Sequence, residues 1–167
     1  MNELLVAFCR WIQNTSWAQA ILTSSWAFPY VQLIHFAGLS LWVGTNTLLD
    51  LRLLGVGKKR QTASQLSNAL FIWNWIGFGI AVLGGFLLFS ISATIYIKNP
   101  AFQIKLGVLI PLALLLHIVV QRKARSWDRE ETPVTAKLAG LAELTLWFCV
   151  ASAAVLIPSF FGPSDLP

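Results

Sequence analysis

The chain has 167 residues, one domain's worth, of which 56% are apolar and only 11% charged, with eight tryptophans. Soluble domains carry about 25% charged residues, so this composition excludes an ordinary water-solvated domain and points to lipid as the solvent. The net charge of +5 then reads as basic loops beside a membrane, and not as a nucleic-acid surface.

Residues 3–13, ELLVAFCRWIQ, place Leu4, Leu5, Phe8, Trp11 and Ile12 on one helical face. The run is too short to span and predicts an interfacial helix, with Trp11 and Trp17 at headgroup depth. Glu3 and Arg10 interrupt what would have to be the basic start and long apolar core of a cleavable signal. Cys9 sits in this polar-edged tail and Cys149 deep in an apolar run, without C-x-x-C spacing. That argues against a disulfide between them and gives no metal or redox motif.

Four apolar runs follow, at roughly 29–49, 69–91, 101–121 and 138–158, each near the ~20 residues that a bilayer core demands. Ser24 and Ser25 offer a cap before the first, and Pro29 falls where a first-turn proline is tolerated. Asn99-Pro100 is a helix-start signal ahead of the third. The expected fold is an all-α integral membrane protein, a single antiparallel bundle of four transmembrane helices with a short interfacial N-terminal helix. The two longer loops hold Arg52, Lys58, Lys59, Arg60, Arg122, Lys123, Arg125, Arg129 and Lys137, nine basic residues. The tails and the short loop hold three, Arg10, Lys98 and Lys105. That asymmetry places both termini outside the cytoplasm.

The polar residues inside these runs are the candidate site, because a titratable group in hydrocarbon is costly and usually faces an interior site. At ~1.5 Å per residue, His35 lies ~7 Å and Lys105 ~9 Å to the outer side of the middle of their runs, and His117 ~9 Å to the inner side. A difference of ~16 Å between the histidines disfavours one shared haem iron. Two layers fit better: His35 and Lys105 outside, with Tyr96 near the edge, and His117 with Asn46, Asn74, Glu143 and Arg52 inside. Each residue has a plainer reading. His35 could bond a neighbouring helix backbone, Lys105 could snorkel to the interface, and His117 could sit at the inner boundary. Glu143 should pair with a nearby base, His117 or Arg52. Asp50 and Arg52, two apart, do not face each other on a helix. Gly77, Gly79, Gly84 and Gly85 either let helices approach closely or leave room for a flat cofactor.

The segment at 24–55, SSWAFPYVQLIHFAGLSLWVGTNTLLDLRLLG, resembles a family of small bacterial four-span membrane proteins marked by a first-span histidine and a closing DLRLLG. More distantly, the order His35, Trp42, Gly44 is similar to the first span of copper-resistance proteins of the CopD type. It is also similar to that of four-span bacterial protoporphyrinogen oxidases, whose recurring polar positions correspond to His35, Arg52, Lys105 and His117. The resemblance implies a haem-b or porphyrin site in the outer or central part of the bundle. Two features depart from it: the first span closes on Leu49-Asp50-Leu51-Arg52, where the oxidases have leucine-proline-arginine, and Met1 is the sole methionine, whereas copper(I) sites favour soft ligands.

The resulting expectation is a b-type haem protein or subunit engaged in electron transfer at the bacterial inner membrane, with both termini periplasmic and His35 as first axial ligand. Lys105 would neutralise a propionate or occupy the opposite face, with His117 as the second candidate, and a membrane or periplasmic protein would be the redox partner. The alternative is a cofactor-free accessory subunit of a larger membrane complex.

Overall fold

The computed structural model describes residues 3–56, 61–127 and 133–161. Lys58, Lys59, Arg60 and Arg129, counted above as loop charges, lie outside the described residues. Among the described residues all regular structure is helical. Two short helices, α1 (Glu3–Gln13) and α2 (Ser16–Thr23), precede the long α3 (Ala27–Leu54) and α4 (Ala63–Ile91). The brief α5 (Ala93–Tyr96) and α6 (Pro100–Ile104) lead into a π-helical turn, Lys105–Leu109, which continues as α7 (Ile110–Ala124). The last long helix is α8 (Val134–Leu156), finished by a 3-10 turn at Ile157–Phe160.

The ends of these helices follow from local chemistry. Ser24 Oγ accepts the Ala27 amide at 3.1 Å, which satisfies one of the amides a helix start leaves open. Gly55, at φ +84°, closes α3 in the left-handed conformation that glycine adopts without strain. Thr62 and Gln65 form a capping box, each side chain accepting the other's amide, so α4 begins well before its apolar run. Asn99 Oδ1 accepts the Phe102 amide at 3.1 Å, and Pro100 takes the first helical position.

Three stretches are long and apolar enough to cross a membrane: Ala63–Ile91, Pro100–Ala124 and Val134–Phe160. Helix α3 matches them in length, with 28 residues, but Gln32, His35, Asn46, Asp50 and Arg52 dilute its apolar character. It lies between α4 and α8, and α7 packs on α8. The α3–α4 contact is the most extensive and rests on glycine. A Cβ on Gly38 would come within 2.6 Å of the Ala81 amide nitrogen, one on Gly77 within 2.7 Å of that of Trp42, and one on Gly84 within 2.8 Å of the His35 Cβ. Of the two readings left open for the span-two glycines, close backbone approach accounts for Gly77 and Gly84.

Outward faces carry large apolar side chains such as Leu33, Phe36, Leu83, Leu115, Leu138 and Phe148, while Asn46, Asp50, Asn74, His117 and Glu143 are buried. Apolar outside and polar within is the arrangement expected where lipid is the solvent. Two apolar clusters bracket those polar groups. Trp42, Ala113 and Trp147 lie on one side, and Leu53, Ala63, Val120 and Ala136 on the other.

Candidate functional site

The inner layer is a continuous hydrogen-bond network across four helices. Asn74 of α4 donates through Nδ2 to Thr45 Oγ1 at 2.9 Å and to Asn46 Oδ1, both on α3. Its Oδ1 faces His117 Nε2 of α7 at 3.0 Å. On the other edge of the ring, His117 Nδ1 lies 2.5 Å from Glu143 Oε1 of α8. Trp147, one turn on, donates to that same oxygen at 3.4 Å. Acceptors face both ring nitrogens, so each carries a hydrogen when Glu143 is ionised. His117 therefore offers no lone pair to a metal in this arrangement. Both ring nitrogens of His117, a candidate cofactor ligand, are thus engaged by Glu143 and Asn74.

Arg52 also departs from expectation. It was grouped with the inner layer, but its Nε–H donates to the Gln61 carbonyl at 2.7 Å, holding it to the chain between α3 and α4 and away from the network. Glu143 therefore takes His117, and not Arg52, as its base.

The outer layer is built on His35. Eleven residues separate His35 from Asn46 on α3, ~16 Å of rise, so the two histidines occupy different levels as the residue count predicted. His35 Nδ1–H donates to the Ala81 carbonyl of α4 at 2.8 Å. Its ring lies against Gly85, where a Cβ would stand 3.0 Å from His35 Cε1. A hydrogen on Nδ1 leaves the lone pair on Nε2, and among the described residues Nε2 makes no hydrogen bond. The plain reading of His35 as a backbone-bonded histidine is thus true of one nitrogen only.

Lys105, the first residue of the π-helical turn, lies within electrostatic reach of His35. Among the described residues it forms no ion pair. Tyr96 packs its ring among Phe89, Phe102 and Phe161 at the outer end. Trp42 is buried edge-on against Phe78 and Trp147, while Gly44 touches nothing that a Cβ would meet.

Composition and spacing do not single out Thr45, Gln121 or Trp147. Helical spacing could have found two of them: Gln121 follows His117 by four residues and Trp147 follows Glu143 by four, on the same faces. Gln121 Oε1 accepts the Trp75 Nε1–H at 3.1 Å.

Comparison with family models, with curated proteins and with solved structures yields no match, so the chain's chemistry is read from its own side chains.

The donor set can be tested against haem. Among the described residues no three His, Cys, Asp or Glu side chains gather as they would around a bare ion. One oriented imidazole suits a metal that brings its other ligands in a macrocycle, and second-shell bonding of Nδ1 to a carbonyl is the usual way such an imidazole is held. Lys105 supplies an unpaired cation beside it for an acidic substituent. The residues at this level fit a haem bound through a single histidine.

Proposed function

We propose that the protein is a four-span bacterial inner-membrane protein that binds b-type haem at its outer layer and takes part in electron transfer. In this reading α3 crosses the membrane beside α4, α7 and α8, and both termini face the periplasm, as the basic residues of the longer loops require. The observation that carries the proposal is the His35 pair of contacts: Nδ1–H held by the Ala81 carbonyl, and Nε2 without a hydrogen bond near the Lys105 cation. When bound, haem would supply one-electron chemistry through its iron. The chain's own part is binding and orientation. The Ala81 carbonyl fixes the His35 tautomer, Gly85 admits the ring, Lys105 holds a carboxylate substituent, and the apolar shell keeps water away. A membrane-bound or periplasmic redox protein is the partner this reading implies.

A visible spectrum of protein purified after haem-sufficient growth tests the proposal. A Soret band is expected, lost or shifted in His35→Ala with the helices still folded. Lys105→Ala should weaken haem retention, and His117→Ala should leave the ligand-sensitive bands in place. A wild-type protein that stays colourless after haem addition overturns the cofactor reading and leaves a cofactor-free accessory subunit.

A further inference from the structure

One buried group has no role in the outer layer and no partner in the inner one. Asp50 is 0% exposed, and among the described residues neither of its carboxylate oxygens has a hydrogen-bond partner. Its position follows from the packing of α3 on α8. A Cβ on Gly140 would stand 3.2 Å from the Asp50 carbonyl oxygen, and Glu143, one turn along α8, is within electrostatic reach of the Asp50 carboxylate. Glu143 spends Oε1 on His117 and Trp147, but its Oε2 is buried without a partner. Asn46, one turn before Asp50 on the same face of α3, is 2% exposed and has a partnerless Nδ2.

The charges around Asp50 can be counted from each helix packed on α3. Neither α2 nor α4 carries a charged residue. On α8, Glu143 faces the site, and Lys137 lies exposed two turns nearer the helix start. His117 of α7 is committed to Glu143. On α3 itself, His35 is four turns away, and Arg52 points to another side, with Nε on the Gln61 carbonyl. Arg52 keeps a buried Nη1 without a partner, but it stands two residues from Asp50 and so off that face of α3; among the described residues no cation pairs with Asp50. A buried ionised carboxylate without a donor is among the costliest groups in a protein interior, and a like charge nearby raises that cost further. Such a group holds a cation, and the neighbours decide which. The unsatisfied amide of Asn46 is a donor, useful to water or to a carboxyl oxygen and repelled by a metal ion. Helix α3 ends at Leu54, only ~6 Å of rise beyond Asp50, so water has a short way in from the Arg52 end.

We propose that Asp50 is a proton-binding site, a buried carboxylic acid that exchanges its proton with water at the Arg52 end of the helices and shares it with Glu143 Oε2. The step is plain acid–base exchange. A hydronium proton forms the O–H bond on Asp50 and releases water, and transfer onward leaves Asp50 ionised and Glu143 Oε2 protonated. Glu143 and His117 then continue the chain toward the middle of the helices, with Asn74 orienting the His117 ring. The site stands whether or not His35 binds iron.

Infrared difference spectroscopy on the full-length protein in lipid nanodiscs, between acidic and alkaline buffers, tests this directly. A protonated-carboxyl C=O band is expected, moving on exchange into deuterium oxide. It should move again when aspartate alone carries a carbon-13 side-chain carboxyl. Asp50→Asn should remove the band, and Asp50→Glu should keep it at a different frequency. With Asp128→Asn and Asp165→Asn in place Asp50 is the sole aspartate, and labelling of that protein decides the matter even if Asp50→Asn fails to fold. No titrating carboxyl band, no deuterium shift, or a band that moves only on glutamate labelling would overturn the proposal. So would loss of the band on adding sodium at fixed pH, which would make this a sodium site.

Discussion

His117 Nδ1 sits 2.5 Å from Glu143 Oε1, and both side chains are 1% exposed. The contact ties α7 to α8, and Asn74 extends it to α4 and α3. Removing one member of such a pair leaves a lone charge where water cannot reach it. Glu143→Leu or His117→Leu should each cost about 3–5 kcal/mol of stability, while the double variant should cost less than the two added together. Unfolding in mixed micelles measures all four proteins. Strict additivity would show that the pair is not energetically coupled.

The helix crossing makes a steric prediction with an internal control. Gly38→Ala and Gly77→Ala must push backbone against backbone, since the new Cβ would meet main-chain nitrogen at 2.6 and 2.7 Å. Each should cost about 1–3 kcal/mol. At Gly79 a Cβ meets nothing within 4 Å, so Gly79→Ala should leave stability unchanged or raise it by up to ~1 kcal/mol through helix propensity. Equal losses at all three positions would contradict the close approach.

Gly85 governs His35 in a subtler way. Its substitution by alanine would bring Cβ to 3.0 Å from His35 Cε1, turning the ring away from the Ala81 carbonyl. Nitrogen NMR of haem-free protein should show His35 protonated on Nδ1 when neutral. The same signal should move toward a mixture of tautomers in Gly85→Ala. A wild-type ring protonated on Nε2 would remove the basis for assigning it as a ligand.

Orientation can be read by thiol labelling, but Cys9 is a poor reporter. It is 1% exposed, and burial pushes its thiol pKa up. Thiolate is the reactive form, so its labelling should be slow at neutral pH and quicken as pH rises. In a background lacking both native cysteines, Asn14→Cys should react with an impermeant reagent from the periplasmic side. Ser126→Cys should react only after the membrane is opened. The reverse pattern would invert the topology.

How far the sequence foretells this molecule depends on the range over which each signal acts. Caps such as Ser24 and Asn99 act within four residues, and both appear where the sequence places them. The depths of His35 and His117 follow from residue counting on regular helices, and their separation into two levels follows with them. Glu143 has two candidate bases at about its depth, and only the rotation of α7 against α8 decides for His117. Arg52 is drawn off by the carbonyl of Gln61, nine residues on, which no periodicity announces. The start of α4 could be read from Thr62 and Gln65, but hydropathy alone puts the boundary at the apolar run. Asp50 has an isolation that no local pattern encodes, because it depends on what the neighbouring helices fail to supply.

The π-helical turn at Lys105–Leu109 has a consequence for the phase of the helix it interrupts. Lys105 and His117 are twelve residues apart, and on an unbroken α-helix they would point about 120° away from each other. A π turn absorbs one extra residue, taking out roughly one 100° step and leaving the two side chains within ~20° of a common direction. The turn thus works as a vernier between the outer and inner levels. It also makes Gly107, around which a Cβ would find open space, a spare residue in length. Deleting it lets the segment relax to a regular α-helix with both side chains still aligned. An insertion between the turn and His117 would rotate Lys105 out of phase, away from His35 and toward the acyl chains.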